Sequence, residues 1–153
     1  MLKEGEKAPN FSGVDTNGEK RKLSDYKGKI LVLYFYPKDL TPGCTIEACD
    51  FSANVASFKK KNTEILGVSL DSVESHQKFT EKKKLKFPLL ADVDKKISTA
   101  YGVYGQKSFM GKKYMGIERT TFVIDCTAGK NKIKRIFPKV KVFGHWKDVL
   151  EAV

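Results

Sequence analysis

Residues 30–44 read ILVLYFYPKDLTPGC, an unbroken apolar run that stops at a proline and is followed by a cysteine. Residues 30–36 do not alternate with polar ones, which is typical of a strand buried on both faces. Thr41 then suits the N-cap of a helix, and Pro42 suits its first position because the N–H that proline lacks would have no partner there. The stretch predicts a central strand that leads directly into a helix.

Cys44 falls at the third position of that predicted helix. A thiol there lies among unpaired backbone N–H groups at the positive end of the helix, which favours thiolate over thiol. Cys44 also begins an apolar stripe with Ala48, Phe51, Val55 and Phe58 along a helix that should run to about residue 60. We therefore predict a reactive sulfur that faces the protein body.

Cys49 lies on the same predicted helix but points elsewhere, about 140° around its axis from Cys44. Ideal helix geometry separates the two Cα atoms by roughly 8.6 Å, beyond the roughly 7 Å that a disulfide spans. The two sulfurs can therefore bond only if the first turns of the helix unwind. Pro42, Gly43 and the poor helix formers Thr45 and Ile46 weaken those turns.

The rest of the chain predicts an ordered series of strands and helices. Asn17-Gly18 favours a hairpin turn between strands 11–14 and 20–23, and residues 65–70 form a second central strand parallel to the first. Residues 71–74 resemble a capping box that opens a helix to about residue 85. The elements expected beyond it are an edge strand or extended segment at 87–91, a short helix at 95–101, a mobile loop at 102–116, a hairpin of Thr120–Asp125 with Lys132–Phe137, and a final helix at 143–153.

This order predicts an α/β thioredoxin-like fold, in which helices flank a mixed central β-sheet and an N-terminal β-hairpin precedes it. The 153 residues with 41% hydrophobic content suit one compact domain, and no composition break divides them, so we expect a single domain over residues 1–153. We also expect Trp146 to lie in its core.

The net charge of +11 comes almost entirely from lysine, because the chain has only three arginines, Arg21, Arg119 and Arg135. The lysine runs 59–61 and 82–84 fall at predicted helix C-termini, where cations complement the helix dipole. Base and phosphate contacts favour arginine, so we expect no nucleic-acid partner. No apolar run approaches the roughly 20 residues of a membrane span, and residues 1–7 do not resemble a secretory signal, so we expect a cytoplasmic protein without a membrane partner.

Three cysteines do not make a structural disulfide framework in a chain of this size. In a reducing compartment, the close pair Cys44 and Cys49 is better explained by catalysis or metal binding than by a structural disulfide. Cys126 follows a predicted strand end and is expected to be a structural thiol. His76 and His145 are expected at the surface, and the cysteines and histidines lack the short spacing of a zinc site, so we expect no metal and no cofactor.

Residues 34–49, YFYPKDLTPGCTIEAC, resemble the active-site segment of the peroxiredoxins, whose pattern is Pro-x-x-x-Thr-x-x-Cys. More narrowly, they resemble the bacterioferritin comigratory protein or peroxiredoxin Q subgroup, with two cysteines on one helix, and the order of elements extends the resemblance over essentially the whole chain. The resemblance implies that Cys44 is the peroxidatic cysteine and Cys49 the resolving one. It also implies that Pro37 and Thr41 line the pocket, and that Glu47 holds a pocket arginine, Arg119.

The resemblance further implies a peroxidase that reduces hydrogen peroxide and organic hydroperoxides through a sulfenic acid on Cys44. Cys49 would resolve this acid as a disulfide, and thioredoxin or a glutaredoxin would reduce that disulfide. We expect a monomer, with a weak dimer as the alternative.

Other interpretations stay open at this point. A general thiol–disulfide oxidoreductase would also use a cysteine pair, although thioredoxins carry Cys-x-x-Cys and four residues separate the pair here. Thr41 could act only as an N-cap, Arg119 could belong to a surface ion pair, and Cys49 could be a small core residue.

Overall fold

The structure is a computed structural model that describes residues 2–153, so Met1 of the expected domain lies outside the described residues. The strands are β1 Ser12–Asp15, β2 Lys20–Lys22, β3 Ile30–Phe35, β4 Thr63–Ser69, β5 Leu89–Ala91, β6 Tyr104–Phe109, β7 Lys112–Ile117, β8 Thr120–Asp125 and β9 Lys132–Phe137. The helices are α1 Pro42–Ala53, α2 Val55–Lys60, α3 Val73–Lys83, α4 Lys96–Ala100 and α5 His145–Ala152. Within residues 2–153, no helix is long and apolar enough to cross a bilayer.

Seven strands form one mixed sheet in the order β2-β1-β5-β4-β3-β8-β9. The central strand β3 pairs with β4 in parallel and with β8 antiparallel. Its side chains alternate between two cores: Leu31, Leu33 and Phe35 enter one, and Val32 and Tyr34 enter the other. Helices α1, α2, α3 and α5 cover the second core, and α4 lies on the first. The predicted thioredoxin-like fold with an N-terminal hairpin is confirmed.

Strand β5 lies inside the sheet, between β4 and β1, so the prediction of an edge strand at 87–91 is wrong. The N-terminal hairpin extends the sheet by pairing β1 antiparallel with β5. Pro88 is tolerated because it precedes the strand, where its carbonyl accepts a hydrogen bond from the Gly67 N–H.

The predicted helix 42–60 is two helices, α1 and α2, which meet at Asn54. Asn54 leaves the helical region of backbone space at φ −113° and ψ 13°, and its side-chain Nδ2 donates to the Asp50 carbonyl at 2.7 Å. Asparagine competes with the helical backbone for hydrogen bonds in this way. The apolar stripe nevertheless continues across the break, since Phe51 and Phe58 are both fully buried.

Residues 104–117, where a mobile loop was predicted over 102–116, form a β-hairpin of β6 and β7, so the prediction of a loop is wrong. Met110 and Gly111 connect the strands with φ of 51° and 80°. Two consecutive positive φ angles are the geometry of the type I′ turn that joins two-residue hairpins. The poor periodicity reflects the exposure of both strands, on which the apolar side chains of Phe109, Tyr114 and Met115 are exposed.

The start of α3 differs by one residue from the predicted capping box at 71–74. Ser72 is the N-cap, and its hydroxyl accepts from the N–H of Ser75 at 3.1 Å. Trp146, expected in the core, is partly buried against the core beneath α1 and α5.

Candidate active site

Cys44 lies at the third position of α1, as predicted, beyond the C-terminal end of the central strand β3. It is 1% exposed and packs in the same core as Ala48 and Phe51 from the following turns. Because α1 begins at Pro42, the N–H of Cys44 belongs to the first turn, where helical N–H groups have no partner within the helix. The sulfur therefore lies at the positive end of the helix and is almost sealed from solvent.

Arg119 reaches this sulfur from the segment between β7 and β8. Its Nη2 donates to Cys44 Sγ at 3.3 Å, and its Nη1 donates to Glu47 Oε1 at 2.7 Å. A side chain on Gly43 would place its Cβ 3.3 Å from Nη2, so a glycine before Cys44 lets the guanidinium lie close to the helix start. The interpretation of Arg119 as a surface ion-pair residue is therefore wrong.

Charge at Arg119 is stabilised despite its partial burial. Burial alone would lower the pKa of the guanidinium, but the nearby Glu47 carboxylate and Cys44 sulfur outweigh it and raise the pKa above its usual value. Arg119 therefore keeps a full positive charge beside the sulfur.

Glu47 lies one turn after Cys44 and is 1% exposed. Burial raises its pKa to about 7, against the opposing effect of Arg119. Its second oxygen, Oε2, is buried and has no hydrogen-bond partner among residues 2–153. Glu47 thus carries a carboxyl group that is fixed by Arg119 on one side only.

Thr41 occupies the predicted N-cap position, but it does not cap the helix with its side chain. Its hydroxyl donates instead to the Lys38 carbonyl at 2.8 Å, within the loop between β3 and α1. The predicted capping bond is therefore wrong, because the Thr41 hydroxyl accepts no hydrogen bond from the N–H groups of the first turn of α1. Pro37 lies in the same loop and is half-buried.

Cys44, Cys49 and Cys126 are all free thiols. Cys49 is partly exposed on α1. The structure does not bring it to Cys44, because the two residues lie about one and a half turns apart on the same helix. Cys126 follows β8 and is fully buried, and burial raises its pKa to about 11. Cys126 is therefore an inert thiol near neutral pH.

The prediction that His76 and His145 lie at the surface is wrong, because both are buried. His145 Nε2 lies 2.8 Å from the Thr121 hydroxyl, and burial lowers the pKa of His145 to about 4. His145 is therefore neutral near pH 7. The ring packs edge-on against Phe51 of α1, a contact that no local sequence signal indicates.

Within the described residues 2–153, one group of side chains is close enough to share a metal ion: Asp39, Asp71 and His76, with ligand atoms within 4.8 Å of one another. Their atoms already hydrogen-bond to each other and to neighbouring hydroxyl and backbone groups. We therefore interpret this group as a hydrogen-bond network.

Comparisons with known proteins identify the family of this chain. Residues 5–131 match the model of the AhpC/TSA family. The chain is similar to Peroxiredoxin Bcp of Bacillus subtilis, with 49% identity over 149 residues that cover 97% of this chain and 93% of that protein. It is also similar to Peroxiredoxin Bcp of Escherichia coli, with 44% identity over 149 residues that cover 97% of this chain and 94% of that protein.

Solved structures give the same result. The fold is similar to that of a Xylella fastidiosa PrxQ mutant, with a TM-score of 0.91 and 36% identity, covering 99% of this chain and 94% of that one. It is similar to the Xanthomonas campestris bacterioferritin comigratory protein, solved in a study of alkyl peroxide reduction, with a TM-score of 0.86 and 41% identity, covering 93% of this chain and 88% of that one. The chain therefore belongs to the AhpC/TSA family, among the peroxiredoxins of the Bcp and PrxQ type, which are peroxidases.

Proposed function

We propose that Cys44 is the peroxidatic cysteine of this peroxidase and that Arg119, Glu47, Thr41 and Pro37 form its pocket. The observation that carries the proposal is the contact of the Arg119 guanidinium with Cys44 Sγ at 3.3 Å. A cation fixed beside a thiol at a helix start favours the thiolate, which is the nucleophilic form. It also supplies a donor where negative charge develops during the reaction.

In the proposed first step, the Cys44 thiolate attacks one peroxide oxygen in line with the O–O bond. The S–O bond forms as the O–O bond breaks, the sulfur loses two electrons to the peroxide, and the leaving alkoxide or hydroxide takes up a proton. Arg119 and the N–H groups of the first turn of α1 face the charge as it moves along S, O and O. The products are a sulfenic acid on Cys44 and an alcohol or water.

In the proposed second step, the Cys49 thiol attacks the Cys44 sulfenic acid, which forms a disulfide and releases water. Because both residues lie on intact α1, the first turns must unwind before the sulfurs meet. A dithiol protein, thioredoxin or a glutaredoxin, then reduces the disulfide by exchange and restores both thiols.

We propose hydrogen peroxide and organic hydroperoxides as substrates, with no metal or other cofactor in the cycle. The alkyl peroxide reduction studied in the Xanthomonas campestris relative supports the organic class. We further propose that residues 1–153 act as one domain and as a monomer. Support for one domain comes from the sheet, because β1 from the first part of the chain and β9 from its last part belong to the same seven strands.

The decisive experiment compares three serine variants in a peroxide consumption assay. Cys44→Ser should abolish turnover. Cys49→Ser should complete one turnover with a small peroxide and accumulate a sulfenic acid that a dimedone probe labels. Cys126→Ser is the matched control and should turn over normally, since that thiol is buried and unreactive. Full activity in Cys44→Ser would overturn the proposal, and faster insulin-disulfide reduction than peroxide reduction would favour a general oxidoreductase.

A further inference from the structure

A buried polar network holds the loop that joins β3 to α1, and it is centred on Asp39 and His76. We propose that this pair positions Cys44 for attack on peroxide, so that His76 and Asp39 are positioning residues for the peroxidatic step. The inference rests on the proposed function of Cys44.

Asp39 is the anchor of the loop, because every bond it makes goes to a group outside α1. Oδ1 accepts from the Tyr36 hydroxyl at 2.6 Å, and Oδ2 accepts from the Ser75 hydroxyl at 2.8 Å. Oδ2 also lies 2.7 Å from His76 Nδ1, and the Asp39 N–H donates to Asp71 Oδ2 at 2.9 Å. These bonds tie one residue of the loop to Tyr36, which directly follows β3, to α3 and to the segment between β4 and α3.

His76 connects this anchor to the sheet. It projects from α3, is 0% exposed, and its Nε2 lies 3.0 Å from the Leu90 carbonyl in β5. The two ring nitrogens of His76 therefore link the Asp39 carboxyl group to the Leu90 carbonyl of β5.

The loop needs such an anchor because its next residue is strained. Leu40 has φ of 62°, in the left-handed region that residues with a side chain rarely adopt. Leu40 is the only residue between Asp39 and Thr41, the N-cap of α1. Release of Asp39 would let Leu40 relax and would shift the start of the helix that carries Cys44.

Arg119 does not belong to this loop, so such a shift would change its distance to the sulfur. Arg119 directly precedes β8, which is fixed by pairing with β3 and β9. Misplacement of reacting groups by about 1 Å can cost on the order of 100-fold in rate. Resolution by Cys49, in contrast, requires the start of α1 to unwind and does not depend on the anchor.

The test is a comparison of two isosteric variants, Asp39→Asn and Asp92→Asn. The Asp39→Asn amide keeps the volume but cannot accept from His76 and Ser75 with its nitrogen. Asp92 is the matched control, since it is also a buried carboxylate and accepts from the N–H groups of Ile97 and Ser98, on α4. Stopped-flow measurements would follow sulfenic acid formation in a Cys49→Ser background and disulfide formation with Cys49 present.

We expect Asp39→Asn to slow sulfenic acid formation by roughly 10- to 100-fold, while disulfide formation keeps or exceeds its parental rate. His76→Gln should slow the same step, and the double variant should be no slower than Asp39→Asn alone, because both act through one contact. In Asp92→Asn, the rate of sulfenic acid formation should stay within about twofold of the parental rate, well below the effect of misplaced reacting groups. If Asp39→Asn does not fold, Ser75→Ala takes its place, since it removes one hydrogen bond to Asp39 from a partly exposed site. It should slow sulfenic acid formation by a smaller factor.

A parental rate of sulfenic acid formation in Asp39→Asn or, if that variant does not fold, in Ser75→Ala would overturn the inference, as would equal slowing in Asp92→Asn. If Cys44 of the parent itself fails to react with peroxide, the proposed function is wrong instead.

Discussion

Arg119 Nη2 lies 3.3 Å from Cys44 Sγ, although 75 residues separate them in the chain. The sheet explains the contact. Strands β3 and β8 are antiparallel neighbours in which Phe35 pairs with Thr120, so the end of β3 and the start of β8 lie at one edge. Cys44 follows the first of these positions and Arg119 directly precedes the second. Strand register therefore brings a cation to a thiol.

Arg119→Met should reduce the rate of Cys44 oxidation by peroxide by roughly 100- to 1,000-fold, the usual cost of losing one donor to developing negative charge. Arg135→Met is the matched control, because Arg135 is half-exposed and its ion pair with Glu4 lies on the surface. Competition kinetics with a reference peroxidase would measure the rate of Cys44 oxidation in both variants. Equal rates for the two variants would contradict a function of Arg119 in the reaction.

Oxidation to the Cys44–Cys49 disulfide should remove amide protection from the first turns of α1, because intact helix holds the two Cα atoms too far apart. Hydrogen exchange read by mass spectrometry would show faster exchange in peptides of residues 42–49, with unchanged exchange in α3. The Cys49→Ser variant treated with one equivalent of peroxide serves as the control and should keep its protection. Protection that persists in the disulfide form would show that unwinding does not occur.

Glu47 should make the protein less stable as pH rises from about 5 to 7. Burial raises its pKa from 4.5 to about 7, so the unfolded chain loses this proton at lower pH than the folded protein does. The stabilisation that this proton provides is complete below the pKa of Glu47 in the unfolded chain. It is lost as pH rises through the pKa of Glu47 in the folded protein, which lowers the free energy of unfolding by on the order of 3 kcal/mol.

Urea unfolding at pH 5 and pH 8 would test this for wild type, Glu47→Gln and a control, Glu64→Gln, in which the replaced side chain is partly exposed and pairs with Lys29. Glu47→Gln should lose most of the pH dependence of the unfolding free energy, and Glu64→Gln should retain it. The same pH dependence in all three proteins would contradict the raised pKa of Glu47.

Gly67→Ala should destabilise the fold by about 1–3 kcal/mol through overpacking. A Cβ at this position of β4 would lie 2.8 Å from Leu89 Cδ2 and 2.9 Å from Tyr34 Cζ, both in the core beneath α1. Gly105→Ala is the matched control, since a Cβ on that strand glycine meets nothing within 4 Å. Thermal denaturation would compare the two, and an equal midpoint for both variants would contradict the packing argument.

Local sequence was sufficient wherever the outcome depends on near neighbours. The apolar run before Pro37 predicted a strand buried on both faces, and Thr41 and Pro42 predicted a helix that places Cys44 at its third position. Both are confirmed, because strand burial and helix start follow from residue types within a few positions. The same local signals missed the split at Asn54 and the hairpin of β6 and β7, where weak patterns left several conformations similar in energy.

Contacts between distant residues required the tertiary structure. The distance between Arg119 and Cys44 could not be read from the sequence, and the sequence pattern placed His76 and His145 at the surface although both are buried. It also placed β5 at an edge, whereas the N-terminal hairpin covers that edge. Each of these contacts depends on which strands pair and in which register. Side chains from the whole chain together determine the free energy of that pairing.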